Sequence, residues 1–142
     1  MSDCGCENDG KRIVLLYSCS GGANVAEAAD RAAREMMLAG GPTMFCLAGL
    51  GAGIEGMIQM ARDADLNVVI DGCDVDCGKK VFDDRGLSNY VHIKVTDLDI
   101  DKVTGVGATE EQVAVVVKKI TETLAGGCCG GQPCGNGGGK AQ

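Results

Sequence analysis

The sequence predicts an α/β fold of three layers, Rossmann-like in the loose sense. A mainly parallel sheet of about four strands would carry helices on both faces. Three observations predict it. Short apolar runs alternate with segments of helical period along the chain. The connections between them are short. The first runs are apolar throughout rather than alternating, as strands covered on both faces are.

The elements follow in order. "RIVLLYS" (12–18) reads as a strand buried on both sides. "NVAEAADRAAREMML" (24–38) reads as a helix, with Val25, Ala28, Ala29, Ala32 and Met36 on one face. Spacing of i,i+4 pairs Glu27 with Arg31 and Asp30 with Arg34 on its surface. Gly40, Gly41 and Pro42 stop it. "TMFCLAG" (43–49) is the expected second strand, followed by a helix carrying Ile54, Met57, Ile58 and Ala61. "LNVVIDG" (66–72) is the third strand, with a shorter helix around 76–85. In "YVHIKV" (90–95), Val91, Ile93 and Val95 alternate with Tyr90, His92 and Lys94, as in an edge strand with one wet face. Thr109 and Gln112 have capping-box spacing before a last helix bearing Val113, Val116, Val117, Ile120 and Leu124.

Composition bounds the function. At 142 residues the chain can bury a core of one domain. It contains no Trp, and only two Tyr and two Phe, so a surface of stacked aromatics for nucleic-acid bases cannot be built. A formal charge of −7 opposes DNA and anionic membranes alike. "MSDCGCENDGKR" lacks the apolar run of a signal peptide, and no apolar run is long enough to span a bilayer. The expectation is a cytoplasmic protein, where thiols stay reduced and a cysteine set reads as metal-binding or catalytic. The nine cysteines are also odd in number, so they cannot all pair internally.

The position of those cysteines is the main signal. In open α/β sheets, ligands bind where the strand-to-helix loops gather, at the carboxyl ends of the strands. Cys19 follows the first strand in "YSCSGGANV", and Cys46 ends the second in "MFCLAG". Cys73 and Cys77 follow the third in "IDGCDVDCGKK". Four thiols from three loops on one edge match the ligand number of a tetrahedral zinc site, although no CxxC knuckle occurs. Small buried hydrophobes are the structural alternative, since free cysteine is often buried.

From "LLYSCSG" through "MFCLAGL" and "VVIDGCDVDCGKK" to "HIKVTDL", across about residues 12–105, the chain resembles the DGC-domain family of proposed zinc-binding proteins. The family takes its name from a triplet that stands here as Asp71-Gly72-Cys73. The resemblance implies a zinc-chelating role for Cys19, Cys46, Cys73 and Cys77, and no particular reaction. An iron–sulfur cluster in the same thiols is the variant cofactor.

Other chemistry is open at the same edge. The backbone of Ser20, Gly21, Gly22 and Asn24 could cradle an anion at a helix N-terminus, though neither a P-loop lysine nor a phosphatase arginine follows. "GLGAG" (49–53) falls short of a dinucleotide fingerprint. Cys19 and Cys77 lie near helix N-termini, where thiolate is favoured, so Cys73 and Cys77 could also cycle between dithiol and disulfide or carry persulfide sulfur. The lone His92, inside a strand, reads as a satisfied or solvent-facing residue. Asp71 and Asp97, at the ends of the third and fourth strands, could orient ligands from behind.

The organisation expected is a flexible arm (1–11), one α/β domain (12–125) and a disordered Gly/Cys-rich tail (126–142). Cys4 and Cys6 lie on the arm, and Cys128, Cys129 and Cys134 in "CCGGQPCG" on the tail. Accessible thiols on glycine-rich segments suit metal or sulfur transfer to a partner protein. The reading is a small metal-binding protein without nucleic-acid or membrane partners. A thiol redox or persulfide carrier, and an anion- or nucleotide-binding module at Cys19-Ser20-Gly21-Gly22, are the alternatives.

Overall fold

The structure, a computed structural model, describes residues 12–126. Cys4, Cys6, Cys128, Cys129 and Cys134 lie outside the described residues. Four parallel strands form one sheet: β1 (Val14–Ser18), β2 (Thr43–Met44), β3 (Leu66–Asp71) and β4 (Tyr90–Lys94). Their order is β2-β1-β3-β4. The chain leaves β1 for β2 on one side, then returns across to β3 on the other. The connections therefore reverse direction between β1 and β3, which makes that gap the switch point of the sheet.

Period-two alternation along the strands feeds two cores. Leu16, Val68, Ile70 and Ile93 face helices α1 (Asn24–Leu38) and α5 (Glu110–Gly126). That layer is made thin by the alanines of α1, with Ala28, Ala29, Ala32 and Ala33 all fully buried. Leu15, Tyr17 and Val69 face the opposite layer, α2 (Leu47–Gly51), α3 (Glu55–Asp63) and α4 (Cys77–Asp84). There Tyr17 meets Phe82 and Phe45 edge-on, with ring centroids 5.0 and 6.0 Å apart. The three-layer α/β architecture expected from sequence is the one observed.

Several elements differ in detail. The expected strand 43–49 is cut to Thr43–Met44, because Cys46 turns the chain and caps α2, its Sγ accepting from the Gly49 amide at 3.3 Å. Gly49 then packs so tightly on α3 that a Cβ there would collide with the Met57 side chain. Ile54 precedes α3 and is exposed; the buried stripe is Ile58 and Ala61. On α1, Asp30 pairs with Arg34 at 2.8 Å as spaced. Arg31 instead reaches Glu110 of α5 at 2.7 Å, while Glu27 accepts from the Ala108 amide; these partners displace the local pair. The capping box is present: Gln112 donates from its amide to Thr109 Oγ1 and returns its side-chain oxygen to the Thr109 amide, both at 3.1 Å.

β4 is an edge strand, but its outer face is only half wet. Tyr90 packs on Phe82 at 5.2 Å and His92 is drawn to Asp71. After β4, a short 3-10 turn (Val95–Leu98) leads to an irregular segment that runs back to the start of α1. Among the described residues no helix is long and apolar enough to cross a membrane.

Candidate functional site

The carboxyl ends of the strands carry all four cysteines of the described region, each a free thiol. Cys19 follows β1 and Cys73 follows β3, so these two flank the switch point. The loops touch across it: the Gly72 amide donates to Cys19 Sγ at 3.2 Å, and the Cys19 amide donates to the Ile70 carbonyl at 3.1 Å. Cys77 opens α4 and is exposed, Cys73 is half-buried, and Cys46 is exposed on the far side of β1.

Electrostatics groups the thiols as three plus one. Burial pushes the Cys19 thiol up to about 11; the Gly72 N–H opposes this, while Asp71, Cys77 and Cys73 add to it through their negative charge. Cys46 bears on a different group. Burial first, then Cys46, raises the Tyr17 phenol well above its ordinary value. Between the Cys19 and Cys46 loops lies an open cleft of about 510 Å³, floored by Met44, Phe45 and Leu47 and edged by the Arg34–Asp30 pair. Cys46 thus faces Cys19 across a cleft.

The Asp71-Gly72-Cys73 triplet has a separate task at each position. Asp71 is buried to 1 % exposure and holds the loop together. Its Oδ1 accepts from the Gly78 amide at 2.7 Å, and its Oδ2 from the Lys79 amide at 3.0 Å, capping α4. His92 Nε2 of β4 lies 2.8 Å from the same Oδ2. One carboxylate therefore ties β3, α4 and β4 into a unit. Gly72 is required by close approach: a Cβ would lie 2.9 Å from Val25 Cγ2 and 3.0 Å from the Val25 carbonyl carbon. Cys73 then presents its thiol beyond the clamp.

The acidic residues at this edge are neutralised locally. Among the described residues, the three metal-ligating atoms that come within 4.8 Å of one another are those of Asp71, Asp76 and His92, not three of the thiols. Lys94 Nζ already sits 3.4 Å from both Asp74 and Asp76. Asp76 turns the chain into α4 in a left-handed conformation (φ 57). Aspartate tolerates that region better than most residues. Asp97 is exposed in the 3-10 turn, apart from the Asp71 clamp.

Of the loop considered for anions, Ser20, Gly21 and Gly22 are exposed. Asn24 is 3 % exposed and engaged elsewhere: Nδ2 donates to the Asp101 carbonyl at 3.0 Å, and Oδ1 accepts from the Val103 amide at 2.7 Å. His92, expected to be satisfied or solvent-facing, is satisfied by Asp71, and both it and Lys102 belong to this edge. His92 shares it because β4 pairs in register with β3, Val69 beside His92 and Asp71 beside Lys94. Lys102, whose Nζ donates to Cys73 Sγ at 3.4 Å, has no local signal at all.

The fold is that of a small parallel α/β protein whose four described cysteines lie at the carboxyl ends of its strands. The chain belongs to the DGC domain family, which it matches over residues 15–120. It is 29 % identical over 93 residues to the anaerobic and virulence modulator AnvM of Pseudomonas aeruginosa strain PAO1, covering 66 % of this chain and 71 % of that one. No solved structure matches it.

Proposed function

We propose that this protein binds a metal ion, zinc in the first instance, through Cys19, Cys46, Cys73 and Cys77. The observation that carries the reading is the convergence of four free thiols from three loops on the edge of the sheet that surrounds its switch point. The donor set fits a thiophilic ion: all four are sulfur, and Cys19 and Cys46 already accept backbone N–H bonds of the kind that orient thiolate ligands. Cys19, Cys73 and Cys77 supply one side, and Cys46 must approach across the cleft. Zinc there would supply cross-linking of the three loops and, with a free coordination position, a Lewis acid. The chain's own work is to bring the thiols to one edge of the sheet, with the loop of Cys73 and Cys77 held by the Asp71 clamp. The cysteine-bearing termini are assigned to metal or sulfur exchange with a partner protein in the cytoplasm.

Full-length protein purified anaerobically without added metal should carry about one zinc per chain. Replacing Cys4, Cys6, Cys128, Cys129 and Cys134 together by serine should leave that stoichiometry intact, while Cys73→Ser abolishes it. Metal-free protein with four reactive core thiols would sink the reading. A brown protein with visible absorption would assign an iron–sulfur cluster instead.

A second reading has one observation in its favour, the ammonium of Lys102 beside the Cys73 sulfur. It makes Cys73 and Cys77 a redox or persulfide-carrying pair. Mild oxidant would then produce a reversible Cys73–Cys77 disulfide in peptide mass maps. Anion or nucleotide binding at the Cys19–Gly22 loop would instead show as a rise in melting temperature with phosphate compounds.

A further inference from the structure

Resting on the metal reading of the four thiols, we infer that Lys102 is a positioning residue of that site. It is a fixed cation that offsets the charge of the thiolates and orients Cys73. Residues 101–105 are exposed and lie in no long helix or strand, yet they are stitched to the first turn of α1 on both sides of Lys102. The Asn24 amide donates to the Val103 carbonyl at 3.1 Å. The Asn24 side chain grips the Asp101 carbonyl and the Val103 amide, one residue before and one after the lysine. Gly105 donates to the Gly22 carbonyl at 2.8 Å, and Ala23 bridges Thr104. Ile100, buried in the core, anchors the approach.

The result is a strap laid over the loop that follows Cys19. Its one charged side chain between the Asn24 contacts puts Nζ 3.4 Å from Cys73 Sγ. Lys94 is engaged with Asp74 and Asp76, and Lys79 with Asp83. Among the described residues Lys102 is the cation in contact with a cysteine sulfur. A divalent ion on four thiolates keeps an excess of negative charge, in a chain whose formal charge is already −7. A cation donating a hydrogen bond to one sulfur lowers the cost of assembling that anionic site, as partners behind metal ligands do.

The test uses the full chain, wild type and the variants Lys102→Met and Lys102→Arg, titrated anaerobically with Zn²⁺ against a chromophoric chelator. Lys102→Met should weaken zinc binding by about threefold to tenfold, less than a buried ligand partner because the lysine is exposed. Lys102→Arg should recover most of the loss. Raising ionic strength from low to high should narrow the gap between wild type and Lys102→Met, since the effect is charge. The melting temperature of the metal-free protein should move by less than about 2 °C.

Equal affinity in all three proteins overturns the inference while leaving the metal reading standing. So does a loss that is the same for Met and Arg and indifferent to salt. If wild type binds no zinc, the metal reading fails. Alkylation of Cys73 in the metal-free chain then judges the lysine on its own. The ratio of iodoacetate to iodoacetamide rates at Cys73, read by peptide mass, should fall about threefold in Lys102→Met, because only iodoacetate is anionic. An unchanged ratio would show that no cation is held at that sulfur.

Discussion

Tyr17 is the residue whose environment makes the sharpest demand. It is fully buried between Phe45 and Phe82, and its hydroxyl has no hydrogen-bond partner among the described residues. An unpaired buried hydroxyl costs on the order of 1–3 kcal/mol, whereas the ring contributes fully to packing. Tyr17→Phe should therefore raise stability by about 1 kcal/mol at neutral pH, measured by urea denaturation of the metal-free protein. The pH dependence has a definite sign. Burial raises the Tyr17 phenol above its ordinary value of 10.0, so folding favours the neutral form. The stability it contributes is complete below the ordinary phenol pKa and declines above it as the unfolded chain begins to ionise. The phenylalanine variant lacks that decline, so its advantage should widen above about pH 10. A variant weaker at neutral pH would place a partner on the hydroxyl, and an advantage that stays constant above about pH 10 would mean that burial leaves the phenol unperturbed.

At the level of elements, the Asp71 clamp joins the end of β3 to the first turn of α4 and to β4. Asp71→Asn keeps the shape, but leaves only one acceptor oxygen for three donors and places an amide N–H₂ against backbone N–H groups. We expect a loss of about 2–3 kcal/mol in urea unfolding. Gly78→Ala probes the same junction sterically. Its Cβ would lie 2.6 Å from Val69 Cγ1, on a central strand that cannot retreat, and 3.0 Å from Asp71 Oδ1. A loss of about 1–3 kcal/mol is expected, and an unchanged unfolding midpoint would mean that α4 is not seated on β3 in this way. The clamp also marks what can be read from sequence. Helix α1 is legible to its ends, because alanine periodicity and the Gly40-Gly41-Pro42 stop are local signals. Cys46 reads as a strand residue because "TMFCLAG" is apolar and uncharged throughout. Its true position as the cap of α2 depends on Gly49 packing against Met57, a contact that no short window contains. The Asp71–His92 contact likewise requires the β3–β4 register.

For the whole molecule, a thiol edge is legible from where the strands end, but the strand order is not. Order depends on which way each crossover turns, and the alternation of strands and helices is the same either way. Knowing the order places both ends of the described chain relative to that edge. β1 runs toward the thiols, so Arg12 lies at the opposite edge of the sheet. α5 runs alongside α1 in the same direction: Glu110 is beside Arg31, and Thr121 beside Met36. Met36 lies twelve residues along α1 from Asn24. At the rise of an α-helix that is about 18 Å from the thiol edge. Gly126 lies five residues past Thr121 on α5. The same rise adds about 7 Å. Cys128 and Cys129 follow within three residues of Gly126. Three residues reach at most about 11 Å when fully extended. Gly126 therefore stands farther from the thiol edge than three extended residues span while α5 is formed. We expect any hand-over from Cys128 or Cys129 to the core site to pass between two chains or through a partner. A variant that keeps only Cys77, Cys128 and Cys129 should, on mild oxidation, form a Cys77–tail disulfide only in dimers, with a yield that rises with protein concentration. A concentration-independent link within the monomer would require α5 to unwind and would remove the separation of the two thiol groups.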